Sequence, residues 1–168
     1  MDDLALHKLT IVIISYNRHK YLKRTISYWQ NYNAKVVVLD GSDNFDTRYL
    51  ANRTAVALGI PLISGALSQW EGQLSVFDPK TDGPCYQCIF PEAPAEGLAP
   101  SCAEAGVFAP LPGVIGAMMA AEAMKLITKA GAPLRGELLI YDALYGESRR
   151  LKAPRRTACP ICDSSAAS

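Results

Sequence analysis

The chain of 168 residues has no glycine before Gly41. A G-x-G-x-x-G turn that cradles phosphates is therefore excluded from the first forty residues, because such turns need glycine where backbone approaches ligand. Excess charge is also missing. Lys and Arg number 17 against 16 Asp and Glu, a net charge of +1. With no basic stripe and no interleaved aromatics, nothing supports nucleic-acid binding. The longest apolar tract, Gly113 to Ala123, is too short and too interrupted to predict a bilayer span. The start, Met1-Asp-Asp-Leu-Ala-Leu-His-Lys, lacks the basic and apolar regions of a secretory signal. A cytoplasmic, reducing location is expected, where clustered cysteines bind metal or do chemistry more often than they form disulfides. No internal repeat is visible.

What is present reads as an α/β protein. Apolar residues make up 49% of the chain, enough for an ordinary core. Residues 9–15 form a β-branched run of strand length. Residues 19–31 place Tyr21, Leu22, Ile26 and Trp29 near helical spacing, and a strand follows at 35–40. This βαβ unit predicts two parallel strands with a right-handed crossover. His19 reads as a solvated loop histidine.

Residues 46–58 read as a second helix with an apolar stripe of Tyr49, Leu50, Ala51, Val56 and Ala57. Short strands are predicted at 60–65 and 73–77. Residues 90–112 carry Pro91, Pro94, Pro100, Pro110 and Pro112, which predicts a lid or linker. Residues 113–129 form the strongest helix, apolar all round except at Glu122 and Lys125. Such a helix is buried in a domain or in a subunit interface, and a homodimer is expected. Glu122 needs a partner there, with Lys125 at i+3 a candidate. Strands at 136–142 and 147–152 surround Tyr145-Gly146, and the tail after Cys162 is expected to fray.

Cys85/Cys88 and Cys159/Cys162 are two C-x-x-C knuckles. Two knuckles complete a tetrahedral sulfur cage for structural zinc. A redox dithiol is the rival, but that motif starts a helix, and here prolines surround both pairs. Arg155 and Arg156 can offset the cage's negative charge. The fifth cysteine, Cys102, is either a small buried apolar residue or a reactive loop thiol.

The stretch Asp40-Gly-Ser-Asp-Asn-Phe-Asp-Thr-Arg48 ends an apolar run and begins a helix. Open α/β sheets place ligands at such a junction, beside a helix N-terminus that favours anions. Asp43 and Asn44 would lie in the crevice. The alternative is an Asx-type turn with Asp43 capping the helix.

From about Asp40 to Cys162 the chain resembles the MoeB/ThiF/HesA adenylyltransferases, bacterial relatives of ubiquitin-activating enzymes. The matching pieces are Asp40-Gly-Ser-Asp-Asn with Arg48, Pro61-Leu-Ile-Ser-Gly65, Glu71-Gly-Gln73 and Pro84-Cys-Tyr-Gln-Cys88. Further on come Cys102-Ala-Glu-Ala-Gly106, Ala109-Pro110, Gly113-Val-Ile-Gly116, Glu122-Ala-Met-Lys125, Tyr141-Asp142 and Cys159-Pro-Ile-Cys162. The resemblance implies adenylation of the C-terminal glycine of a ubiquitin-like sulfur carrier, with ATP, Mg²⁺ and structural Zn²⁺. Asp43 looks like the family's metal and nucleotide aspartate, with Asp40, Asn44 and Arg48 beside it. Cys102 looks like the loop cysteine that some members link to the carrier. The family's glycine-rich nucleotide loop has no counterpart here, so weak or absent activity is expected.

The opening resembles something else. Leu9-Thr-Ile-Val-Ile-Ile-Ser-Tyr-Asn-Arg18, Tyr21-Leu-Lys-Arg24 and Val37-Val-Leu-Asp-Gly-Ser42 are similar to the start of family-2 glycosyltransferases. Asn17, Arg18 and Asp40 would then hold a nucleotide-sugar base, although Ile14 replaces the usual proline. The expected architecture is a Rossmann-like open sheet with a βαβ start, a mixed sheet in its C-terminal half and a zinc knuckle pair. Residues 1–44 would be a glycosyltransferase-like segment and 45–168 the back of an adenylyltransferase, in one compact chimeric domain. Non-catalytic alternatives are a zinc-stabilised module docking a carrier tail over residues 62–77 and 136–152, or a nucleotide-sugar-binding remnant.

Overall fold

The computed structural model describes residues 10–15, 19–31, 35–95 and 102–163. Its elements are β1 (Thr10–Ser15), α1 (His19–Gln30), β2 (Lys35–Asp40), α2 (Phe45–Leu58), β3 (Leu62–Ser68) and β4 (Glu71–Phe77), then α3 (Tyr86–Ile89), α4 (Cys102–Ala105), α5 (Leu111–Thr128), β5 (Glu137–Asp142) and β6 (Glu147–Lys152). The six strands form one sheet in sequence order. β1, β2 and β3 run parallel, and β3 to β6 are antiparallel neighbours. The sheet is therefore mixed in its C-terminal half, as the sequence predicts.

Two successive crossovers moving the same way across a sheet put both helices on one face. α1 and α2 accordingly pack on each other and on β2. The register of β2 shows both faces. Val36 and Val38 join Ile26, Ala51, Ala55, Leu62 and Phe77 in one core, while Val37 and Leu39 join Ile63, Leu74, Ile115 and Met119 in the other. Alternation along a strand buried on both sides produces this division.

Tyr21 is an exception to the predicted apolar stripe of α1. It is exposed, with Arg24 over its ring and Tyr28 also exposed. These three residues, spaced i, i+3 and i+7, share the outer face of the helix. In α2 the buried face holds Thr47, Ala51, Asn52, Thr54 and Ala55. Of the predicted stripe Ala51 alone is buried and Ala57 is exposed, so the buried face is rotated from the expected one and partly polar. The helix ends at Gly59, whose φ of 62° is the left-handed conformation glycine tolerates without strain.

Strands β3 and β4 are longer than predicted and join through a two-residue turn at Gln69-Trp70. Gly65, inside the strand predicted at 60–65, and Gly72, just before the one predicted at 73–77, both lie in the ladder, and α5 rests on them. A Cβ at Gly72 would come 2.4 Å from Ile115 Cδ1, and one at Gly65 would come 2.6 Å from Met119 Sδ. α5 starts earlier than predicted because Pro112 fits the first turn, where no N–H bond is lost.

Among the described residues, one face of α5 is covered and the other is not. Leu111, Ile115, Met119, Glu122 and Ala123 are buried, whereas Gly113, Gly116, Ala117, Ala120, Ala121 and Met124 are exposed. Its 18 residues are long and apolar enough to cross a membrane by length and composition, contrary to the reading of its shorter apolar tract. Buried Glu122 accepts from Lys125 Nζ and, at 2.9 Å, from the Leu134 backbone N–H. Asp78, just past β4, accepts from Arg135 Nη2 at 2.8 Å and from Nε at 3.0 Å. The prolines of 91–112 leave room for α4, a single short turn.

Candidate functional site

Parallel pairing places the carboxyl ends of β1, β2 and β3 on one edge of the sheet, with Ser15 beside Asp40 and Asp40 beside Ser64. The chain leaves β2 there through Gly41 to Asn44 and enters α2. The N-cap is Asn44, not Asp43: Asn44 Oδ1 accepts the Thr47 N–H at 2.8 Å. Asp43 is thus outside the cap, with its carboxylate exposed beside the helix N-terminus. Arg48 bends back over the turn. Its Nε and Nη2 donate to Ser42 O at 3.0 and 2.8 Å, and its guanidinium lies 5.2 Å from the Phe45 ring centroid.

Asp40 is fully buried. Its Oδ1 accepts the Ser42 N–H at 3.3 Å, and its Oδ2 has no hydrogen-bond partner among the described residues. Burial raises its pKa above the ordinary 3.8, while Ser42 and the Arg48 charge pull the other way. Beside the crevice lies a cleft of about 270 Å³ lined by Phe45, Arg48, Glu71, Gln73, Tyr86 and Glu92, among others. An exposed carboxylate, a helix N-terminus and a guanidinium in one crevice suit a phosphate ester with its divalent cation.

Cys102 begins α4, a turn held at the same edge of the sheet. Gln69 Nε2 donates to Ala105 O at 3.1 Å, and Phe108 N–H to Gln69 O at 2.8 Å. Asn17 and Arg18 lie outside the described residues.

The four paired cysteines meet as predicted. Their Sγ atoms all lie within 4.8 Å of one another. Cys85–Cys88, Cys85–Cys159 and Cys88–Cys162 separations are 3.9, 3.7 and 3.4 Å. Tetrahedral zinc with ligands at about 2.3 Å needs sulfurs about 3.8 Å apart, so the cluster fits such an ion. In the absence of metal, burial pushes the Cys85 thiol up to about 11. Burial acts on Cys159 too, but backbone N–H groups of Cys162 and Ile161 outweigh it and bring that thiol to about 7. Arg155 donates to Cys162 O and pairs with Asp82 at 3.1 Å, so it does sit against the cage.

One functional contact escaped the sequence. Asn52, fully buried in α2, lies 3.6 Å from Cys85 Sγ through Nδ2 and accepts the Tyr86 N–H at 2.9 Å. Nothing local marks it, because its partners are more than 30 residues away.

Comparison with known proteins gives this arrangement a family. The chain is 53% identical over 130 residues to a sulfur carrier protein adenylyltransferase of Thermus thermophilus, covering 75% of this chain and 48% of that protein. It is 48% identical over 126 residues to a SAMP-activating enzyme E1 of Haloferax volcanii, covering 75% and 46%. The adenylyltransferase and sulfurtransferase MOCS3 of Caenorhabditis briggsae is 37% identical over 162 residues, which is 96% of this chain and 40% of that protein. This chain therefore spans less than half the length of these relatives. Among solved structures, E. coli MccB with selenomethionine MccA matches the fold at TM-score 0.66 and 18% identity, over 87% of this chain and 43% of that one.

The expected glycosyltransferase-like start finds no support. β1, α1 and β2 continue into the same sheet, and the MOCS3 match includes nearly the whole chain. A sequence model described as the ThiF family matches residues 13–161, through both the crevice and the cage, and the chain belongs to that family.

Proposed function

We propose that this chain carries the acyl-adenylation site of a sulfur-carrier adenylyltransferase. The observation that carries the reading is the Asp40–Arg48 crevice, with Asp43 exposed beside an α2 N-terminus already capped by Asn44. Its support in sequence is the 53% identity to an adenylyltransferase that acts on a sulfur carrier protein. In the proposed reaction the carrier's C-terminal carboxylate attacks the α-phosphate of ATP. The new C–O–P linkage forms as the α–β phosphoanhydride breaks, and pyrophosphate leaves.

Asp43 would hold Mg²⁺, whose charge offsets the triphosphate as one anion attacks another. The α2 N-terminus would face the phosphates, and the neighbouring cleft would take the carrier's glycine tail. Arg48 fixes the turn through Ser42 O and faces the same cleft. Cys102, beginning α4 at the same edge, is the candidate for a covalent link to the carrier. The four-cysteine cage is proposed to hold structural zinc. The exposed small-residue face of α5 is proposed to be covered by a second copy of the chain.

Catalysis by these 168 residues is expected to be weak. With no glycine before Gly41, residues 1–40 offer the triphosphate no glycine-rich turn, and each lost charge-stabilising contact slows the step steeply. The same absence favours a second reading, a zinc-stabilised docking module without catalysis. ATP–pyrophosphate exchange with a glycine-terminated sulfur-carrier protein distinguishes them. Carrier-dependent exchange lost in Asp43→Asn supports adenylation, and no exchange above background leaves the docking module.

A further inference from the structure

Asn52 offers more than a satisfied buried amide. Its orientation is fixed, because the Tyr86 backbone N–H is a donor and must meet Oδ1, at 2.9 Å. Nδ2 is therefore the atom 3.6 Å from Cys85 Sγ. A sulfur in a four-thiolate cage carries excess negative charge, and an N–H aimed at it spreads that charge and fixes its direction. The same short segment meets α2 a second time. Tyr86, which follows Cys85, lines the cleft with Arg48, and the guanidinium charge acts on its phenol. Arg48 in turn grips Ser42 O. So Cys85 and Tyr86 touch α2 at two points, about one turn of helix apart, and α2 opens directly into the crevice.

We infer that Asn52 is a positioning residue that donates an N–H to the Cys85 thiolate of the metal-loaded cage, and thereby couples metal loading to the order of the turn at residues 42–47. The inference rests on metal in the cage and is independent of adenylation.

The test uses the full chain and two variants. Asn52→Asp keeps an acceptor for the Tyr86 N–H but replaces the donor with a carboxylate oxygen. Asn52→Ala removes both without adding charge. Each protein is loaded with zinc, and release to a chromophoric chelator is timed. Each is also loaded with cobalt(II) for its sulfur-to-metal charge-transfer band. Amide hydrogen exchange across residues 42–47 is followed with and without metal.

Zinc is expected to bind about 10- to 100-fold more weakly in both variants, with a displaced cobalt band. In the unsubstituted protein, metal removal is expected to speed exchange at residues 42–47, and the metal dependence shrinks in Asn52→Ala. Wild-type release and an unmoved cobalt band in a folded variant overturn the inference. Exchange at residues 42–47 that ignores metal in the unsubstituted protein overturns it as well, whether or not the variants fold. Failure of the unsubstituted chain to bind zinc or cobalt removes the cage itself, a result separable from any adenylation assay.

Discussion

Asp40 shows how a buried carboxylate becomes a pH-dependent feature. Burial raises its folded-state pKa above the ordinary 3.8. The protonated form is therefore the one folding favours. Its contribution is present below the ordinary value and is lost as pH rises through the raised one. Asp40→Asn cannot ionise, so its stability relative to the unsubstituted protein should improve as pH rises from the ordinary value through the raised one and then level off. Chemical unfolding across that range checks the slope, and equal slopes for the two proteins would contradict it. Legibility at this scale depends on distance along the chain. The cysteine knuckles are visible because each spacing is local. Asn52 is not, since its sulfur partner is 33 residues away. The capping role assigned to Asp43 fell to Asn44 because either side chain can accept a helix-start N–H, and only the backbone geometry chooses.

At the scale of elements, α5 is placed by two missing side chains. Gly65 and Gly72 open the sheet surface to Ile115 and Met119, letting the helix approach directly. Gly72→Val should cost about 1–3 kcal/mol through overpacking against Ile115. Gly113→Ala, at an exposed position with nothing within 4 Å of its added Cβ, should change stability little or improve it. Thermal unfolding of both variants separates packing from backbone effects. The strand and helix periods were readable over most of the chain because runs such as Lys35–Asp40 are long and β-branched. The strands at 60–65 and 73–77 were readable, but their extension to a tight turn at Gln69-Trp70 was not, because Gly72 makes room for a helix distant in sequence.

At the scale of the whole molecule, the cage joins chain segments 74 residues apart, through Cys85–Cys159 and Cys88–Cys162. Chelation should therefore lower the melting temperature and loosen the packing of α3 against α2, since a metal held there would also supply folding free energy. Acid should do the same. A thiol at about 11 without metal must lose its proton to bind zinc, so affinity falls as pH drops. Zinc release followed against pH should steepen once Cys159, at about 7, is protonated too. Release that ignores pH would contradict a four-thiolate cage.

The crevice at Asp43 is most directly tested by calorimetric titration of the full chain with Mg-ATP, alongside Asp43→Ala. Saturable binding is expected, weak because residues 1–40 hold no glycine-rich turn and abolished by the substitution. Equal binding by both proteins, or no binding by either, would contradict this expectation.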